Sequence, residues 1–148
     1  MPHPQANQKS ALGMDGKAAA LIGYIFWPIA VVNLIMEKEN QFVRFHAIQE
    51  LFFFLTWIIS FFILFFVFFI LGFVIMIIGS VLGAAAGEAG GIIAIISWLI
   101  AMLMWFVLPL LFALIFLGGK ILCAVKAFQG EAFKLPIVGR FASKVVPI

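Results

Sequence analysis

The sequence predicts an all-α, polytopic transmembrane helical bundle with an interfacial C-terminal segment, and three observations predict it. Of its 148 residues, 66% are hydrophobic and only 10% are charged, against roughly 25% charged in an ordinary soluble domain. The apolar residues are gathered into long uninterrupted stretches, 18–36, 51–87 and 92–117, each near or beyond the ~20 residues that cross hydrocarbon. Lysine and arginine lie outside those stretches, as they do where a chain returns to a charged interface. A compact water-soluble domain of this length buries only about 70% of its unfolded surface. The apolar excess would then form aggregating patches in water, so lipid is the solvent that suits this chain.

Residues 1–16 are polar and begin with Pro2 and Pro4, which reads as a mobile tail rather than a helix or a secretory leader. Residues 17–130 form the predicted transmembrane domain. Its first span, about 18–36, is bracketed by Lys17 and by Glu37, Lys38 and Glu39. Pro28 lacks a backbone donor and predicts a kink near its middle, while Asn33 suits a hydrogen bond between helices.

The next stretch is too long for one ordinary span. Residues 51–87 carry no charge and would make a helix of about 54 Å. A turn near Gly72 would offer no polar side chain to satisfy the freed backbone groups. The reading adopted is one span of about 49–73 continuing as helix to about 86, with four spans turning at Gly72 as the alternative. Ten of the 19 phenylalanines fall between Phe52 and Phe73, enough to present aromatic surface to lipid on every side.

Gly79, Gly83, Gly87 and Gly91 follow at intervals of four, a spacing that lets helix backbones approach closely. The other reading makes the last three of them part of a loop around Glu88, the single charge between Glu50 and Lys120. The third span, about 92–118, contains Pro109 as a second expected kink and continues to about residue 128, where Gly130 supplies a stop. Residues 131–148 read as a segment lying at the headgroup layer. Cys123 is the only cysteine; no intramolecular disulfide can form, and a small apolar residue inside a helix is its ordinary role.

Basic residues give the orientation. Lys120, Lys126, Lys134, Arg140 and Lys144 follow the third span, and the connection around Glu88 has neither lysine nor arginine. The C-terminus is therefore expected to be cytoplasmic and the Glu88 connection external. Three spans then leave the N-terminus outside, against the vote of Lys9 and Lys17. A re-entrant first stretch or a fourth crossing would place both termini in the cytoplasm.

Two polar motifs hold the candidate site residues. In 37–50, Asn40 can cap the following helix, and His46 can pair with Glu50 one turn later. In 126–139, Pro136 and Gly139 end regular helix. The candidate structural or partner-binding cluster is Lys38, Asn40, Arg44, His46, Gln49 and Glu50 from the first motif and Gln129, Lys134 and Pro136 from the second. One reading makes the first motif an interfacial collar of charges. The sharper one has Arg44 or His46 packing on the 129–135 hairpin and locking the cytoplasmic helix ends together. A lone histidine among few acids is too little for a metal site.

Lys38-Glu39-Asn40, then Phe42-Val43-Arg44-Phe45-His46-Ala47-Ile48-Gln49, and later Ala127-Phe128-Gln129-Gly130 with Phe133-Lys134-Leu135-Pro136-Ile137-Val138-Gly139, together resemble an uncharacterised bacterial membrane-protein family, a domain of unknown function. That family is similar to the chloroplast import component Tic-twenty and to the MamF/MmsF magnetosome membrane proteins. The likeness covers about residues 18–142. It implies a bacterial inner membrane and brings no catalytic residues; the glycine-rich stretch at 79–91 is longer than compact members lead one to expect.

No enzyme is expected, since the chain has no nucleophile elbow, zinc-protease helix, phosphate loop or dinucleotide fingerprint. No cofactor or nucleic-acid partner is expected either, the net charge of +3 being accounted for by orientation. Membrane lipid, other membrane proteins and a second copy of the chain are the expected partners. Two function classes remain, a structural, scaffold or assembly protein and a subunit of a channel, transporter or import apparatus. Only Asn33, Thr56, Ser60, Ser80 and Ser97 put polar groups inside the stretches, and that scarcity favours assembly over conduction.

Overall fold

The computed structural model describes residues 3–148; Met1 and Pro2, the start of the expected tail, lie outside the described residues. The elements are helical throughout: α1 (Gly16–Ile25), α2 (Trp27–Met36), α3 (Gln41–Ala85), α4 (Gly90–Met102), α5 (Leu108–Phe128) and α6 (Val138–Val145). Short 3-10 turns occupy Pro4–Asn7 and Gly87–Ala89, and a π-turn at Leu103–Val107 joins α4 to α5. Among the described residues two helices are long and apolar enough to cross a membrane, Gln41–Ala85 of 45 residues and Gly87–Phe128 of 42. The chain divides into two compact units, Met1–Trp57 with Leu117–Ile148, and Ile58–Phe116.

The expected three spans become two long apolar helices and two short ones, because 18–36 is not one helix. The break falls at Phe26, which is extended at φ −131° and ψ 98°. Pro28 is the reason: it sits in the first turn of α2, where its missing N–H is harmless, instead of kinking a helix interior. α1 and α2 each contain 10 residues, about 15 Å of rise, half of what a hydrocarbon core demands. They fold back on each other. A Cβ on Gly23 would lie 3.6 Å from Ala30 Cβ, and Asn33 Nδ2 donates to the Ala19 carbonyl at 2.9 Å, the interhelical bond expected of it.

Within the same unit, residues 3–15 are held by hydrogen bonds, although the sequence reads as a mobile tail. His3 N donates to the Gly130 carbonyl at 2.7 Å, Gly16 N to the Gln8 carbonyl at 2.9 Å, and Asn40 Nδ2 to the Gln5 carbonyl at 3.0 Å. Ala6 is buried in a cluster with Ala19, Ala20, Tyr24, Phe42, Val43, Cys123 and Ala127. Small residues make this docking feasible: a Cβ on Gly16 would stand 3.0 Å from the Ala6 carbonyl oxygen. The Glu37 carboxylate fastens the segment by accepting from Ala11 N at 2.7 Å and from Asn40 N at 3.1 Å.

α5 ends as its sequence predicts. Gly130 has φ 79°, a value that glycine adopts without a Cβ clash. Its N–H reaches the Ala127 carbonyl at 2.9 Å, and Glu131 N reaches Lys126 O at 3.0 Å, the paired bonds that satisfy a helix's last carbonyls. α6 buries Val138, Gly139 and Ala142 and leaves Arg140, Phe141, Lys144 and Val145 exposed.

The second unit is an antiparallel helix pair. α3 continues as helix past Gly72 to Ala85, and the reversal comes at Gly87, with φ 60°. Trp105 packs where a Cβ on Gly72 would be, Ser97 where one on Gly79 would be, and the Gly83 backbone where one on Gly90 would be. Gly79 and Gly83 thus serve close helix approach, and Gly83 is helical rather than part of a loop. The π-turn at Leu103–Val107 precedes Pro109, whose ring and missing N–H disturb the preceding turn.

Candidate functional site

The polar residues singled out in 37–50 sit at the start of α3, inside the first unit. Asn40 caps that helix, its Oδ1 accepting from Val43 N at 3.2 Å. Beyond the cap, Phe42, Val43, Phe45, His46, Ala47, Gln49 and Glu50 are all almost completely buried. A helix that opens with so many buried polar side chains must find them partners, since each unpaired one costs on the order of 1–3 kcal/mol.

Gln49 is the hub. Its Nε2 donates to Tyr24 Oη at 3.0 Å and to the Phe133 carbonyl at 3.1 Å, with Cys123 Sγ alongside at 3.8 Å. Both amide hydrogens are thereby used on two partners from other elements. Tyr24 Oη lies 3.2 Å from His46 Nδ1. The Tyr24 hydroxyl can donate to Nδ1 or accept from it, according to the imidazole tautomer, while its second lone pair takes the Gln49 hydrogen. The His46 ring is walled by Phe42 and Phe45, at centroid distances of 4.6 and 5.2 Å.

Glu50 pairs with Lys120 Nζ at 2.9 Å, the carboxylate side chain 1% exposed and the lysine 26%. The expected His46–Glu50 pair is therefore not made: His46 bonds Tyr24, and Glu50 takes a cation from α5. Helix geometry allowed the i,i+4 pair, but a full positive charge satisfies a buried carboxylate better than a neutral imidazole can.

The remaining candidates are less tightly joined. Lys38 is exposed and lines an open polar recess of about 410 Å³ with Lys9, Ser10 and Glu39. Arg44 is half-buried and its Nε has no hydrogen-bond partner. Gln129 and Pro136 are exposed, and Lys134 Nζ donates to the Ile148 carbonyl at 2.9 Å. Of the contact expected of Arg44 or His46 with the 129–135 segment, His46 has a backbone hydrogen-bond partner in Glu131, and Gln49, which was not expected to make it, bonds the Phe133 carbonyl. The Gln49 contact extends to Gly139, where a Cβ would stand 2.8 Å from Gln49 Oε1 and 2.7 Å from the Lys134 backbone.

Sequence reasoning missed Tyr24, Lys120 and the Phe133 carbonyl. Tyr24 carried a signal, as the only tyrosine in the chain and one set in an apolar stretch, where its hydroxyl had to find a partner. Lys120 carried a weaker one, as the first base after the third stretch. A backbone carbonyl carries none. At the edge of the cluster, Lys126 bonds Glu131 Oε2 at 2.9 Å and holds that carboxyl below its usual range. Partial burial lowers His3 in turn. No group of three or more His, Cys, Asp or Glu side chains is placed to hold a metal among the described residues.

Comparison with known proteins gives this arrangement a family. A UPF0132 membrane protein of Methanocaldococcus jannaschii is 27% identical over 138 residues, covering 92% of this chain and 93% of that protein. Another UPF0132 membrane protein, from Archaeoglobus fulgidus, is 29% identical over 135 residues, covering 90% and 97%. No solved structure matches. The profile of the MamF/MmsF family, described as a magnetosome magnetite crystal formation protein family, matches residues 11–142. That match takes in both polar motifs, the α1–α2 hairpin and the glycine-packed pair, and the chain belongs to the MamF/MmsF family of membrane proteins.

Proposed function

We propose that this protein is a structural or assembly component of a prokaryotic membrane, neither a catalyst nor a conductor. The observation that carries the reading is where three polar side chains of the second unit, Ser80, Ser97 and Trp105, go. Ser80 Oγ donates to the Met76 carbonyl at 2.7 Å and Ser97 Oγ to the Ile93 carbonyl at 2.8 Å, each back onto its own helix. Trp105 Nε1 donates to the Phe69 carbonyl at 3.2 Å. Side chains so engaged offer little to an ion that must shed its hydration shell. A rigid polar cluster joined to a long apolar helix pair suits a protein that lipid or other membrane proteins gather around.

In the topology we propose, α1 and α2 form a re-entrant hairpin, and α3 and the α4–α5 helix cross. Two crossings put Lys9, Lys17, Lys38, Arg44, Lys120, Lys126, Lys134, Arg140 and Lys144, all nine basic residues, on one side, as the positive-inside rule favours. Both termini are then cytoplasmic and Glu88 is external. Cysteines introduced at Lys9 and Glu88 in a Cys123→Ala background would be treated with a membrane-impermeant maleimide on intact cells. Labelling is expected at position 88 only; labelling at position 9 restores the three-span topology.

The function itself is tested in proteoliposomes. Purified protein that yields stable cross-links to itself or to other membrane proteins, with no ion flux above empty vesicles, supports the scaffold. Robust conduction by the pure protein defeats it. The second reading, a subunit of a channel, transporter or import apparatus, is favoured by one feature, the buried Glu50–Lys120 pair at 2.9 Å. Charges retained at the edge of hydrocarbon frequently serve transport.

A further inference from the structure

An apolar groove in the first unit is lined by Leu34 of α2, Ile48, Leu51, Phe52 and Leu55 of α3, and Val145 of α6, enclosing about 270 Å³. No polar side chain is among these lining residues. Leu55 is 52% exposed and Val145 58%, so the groove opens sideways to whatever solvates the unit, and for a membrane protein that is acyl chain.

The rim of the groove is basic. Lys144 Nζ sits 5.5 Å from the centre of the Phe141 ring, and Phe141 lies against Phe52 at 6.4 Å, itself part of the groove wall. Arg140 is one turn before Lys144 on the same face of α6, and both are exposed. No acid follows Glu131 in the sequence. The other acids of the unit are engaged or placed elsewhere: Glu50 with Lys120, Glu131 with Lys126, Glu37 with backbone amides of residues 11, 39 and 40, Asp15 at the start of α1 and Glu39 beside the polar recess. Lys134 is occupied by the Ile148 carbonyl. Among the described residues no acid is paired with Arg140 or Lys144, and Lys144 stands beside the wall of the apolar slot.

We propose that α2, α3 and α6 form a binding site for one anionic phospholipid, with an acyl chain in the groove and its phosphate between Arg140 and Lys144. Acyl burial alone would accept any lipid, whereas a pair of cations at headgroup level selects for net negative charge. The site requires only that the protein lie in a membrane, and it stands whether the second unit proves to be scaffold or conduit.

The full chain in detergent would be titrated with phosphatidylglycerol or with phosphatidylcholine of the same acyl chains, and retained lipid counted by native mass spectrometry. Wild type should retain one phosphatidylglycerol with a preference on the order of tenfold. Arg140→Gln with Lys144→Gln should abolish the preference while leaving retention of phosphatidylcholine unchanged. Val145→Trp should fill the groove and remove both lipids; Leu55→Trp, on a separate wall, covers the case in which α6 is disturbed, and lipid-free melting identifies that case. Glycerol 3-phosphate, which has the phosphate but no acyl chains, should not compete. Equal retention of the two lipids by wild type, a preference that survives the double substitution, lipid retained despite a filled groove, or displacement by glycerol 3-phosphate would each overturn the site.

Discussion

The two units of this protein solve the same problem, holding helices together in a solvent that gives apolar contact no advantage, with different balances of the same two means. The first contains all nine basic residues and five of the six acids; the second contains Glu88 alone. In the first, polar side chains reach across the sequence, as Gln49 does to Phe133, 84 residues away. In the second, Ser80 and Ser97 bond four residues back on their own helix, and closeness comes from side chains that are missing, at Gly72, Gly79 and Gly90. Where lipid removes the hydrophobic drive between helices, association rests either on directed hydrogen bonds or on backbone approach. The first unit combines its hydrogen bonds with close approach at Gly16, Gly23 and Gly139, whereas the second leans on glycine contacts with the Trp105–Phe69 bond beside them.

The comparison is broken most sharply at the buried ion pair. Lys120→Met leaves the Glu50 carboxylate without its cation and should cost about 3 kcal/mol, read by denaturation in detergent; adding Glu50→Leu should recover most of that loss. A cost under about 1 kcal/mol for the single change would mean that the pair is solvated and that the first unit is not organised around it.

Next comes the hub, since Gln49→Leu strands the Phe133 carbonyl, leaves the Tyr24 hydroxyl with His46 alone, and should destabilise by roughly 2 kcal/mol. Gly139→Ala should cost about 1–2 kcal/mol by overpacking against Lys134 and Gln49. Because Gly139 leans on Gln49 Oε1, the double variant should lose less than the sum of the singles, and strict additivity would show that the two residues do not share one contact.

The contrasting expectation belongs to the second unit. Ser80→Ala and Ser97→Ala, separately or together, should change stability by no more than about 0.5 kcal/mol, because each hydroxyl only returns to a carbonyl of its own helix. A large loss from either would make that unit polar in its logic too.

The smallest effect is a pH dependence at the edge of the first unit. The Glu131 carboxyl is held low by its hydrogen bond from Lys126. A folded-state value below the unfolded one stabilises above the unfolded value and is lost as pH falls through the folded one. Acidification through the carboxylate range should therefore lower the melting temperature slightly more in wild type than in Glu131→Gln. Identical acid profiles for the two would remove Glu131 from the account.

Helix as the only regular element among the described residues, and its long run through Gly72 to Ala85, were legible because a single uncharged stretch in lipid can satisfy its own backbone only as a helix. The stop at Gly130 was legible for a local reason, glycine's freedom at positive φ. The break at Phe26 was not, since a tryptophan-proline step inside an apolar run reads equally as a kinked span or as two short helices. Choosing between them takes contacts such as Gly23 on Ala30 and Asn33 on Ala19. The candidate cluster was half legible. Asn40, His46, Gln49 and Glu50 announced themselves as polar residues in an apolar setting. Their partners did not: Lys120 is seventy residues from Glu50, and the Phe133 acceptor is a main-chain atom that any residue could supply.

The break at Phe26 has a consequence for biosynthesis. While residues 18–36 are emerging from the ribosome, they already carry what bends them, Pro28 and the Asn33–Ala19 bond, but not what they dock on. The groups that receive Tyr24, namely Gln49 and the Cys123–Ala127 surface, arrive later, the latter near the end of translation. Docking of the amino-terminal hairpin, unlike its bend, therefore waits on segments made after it.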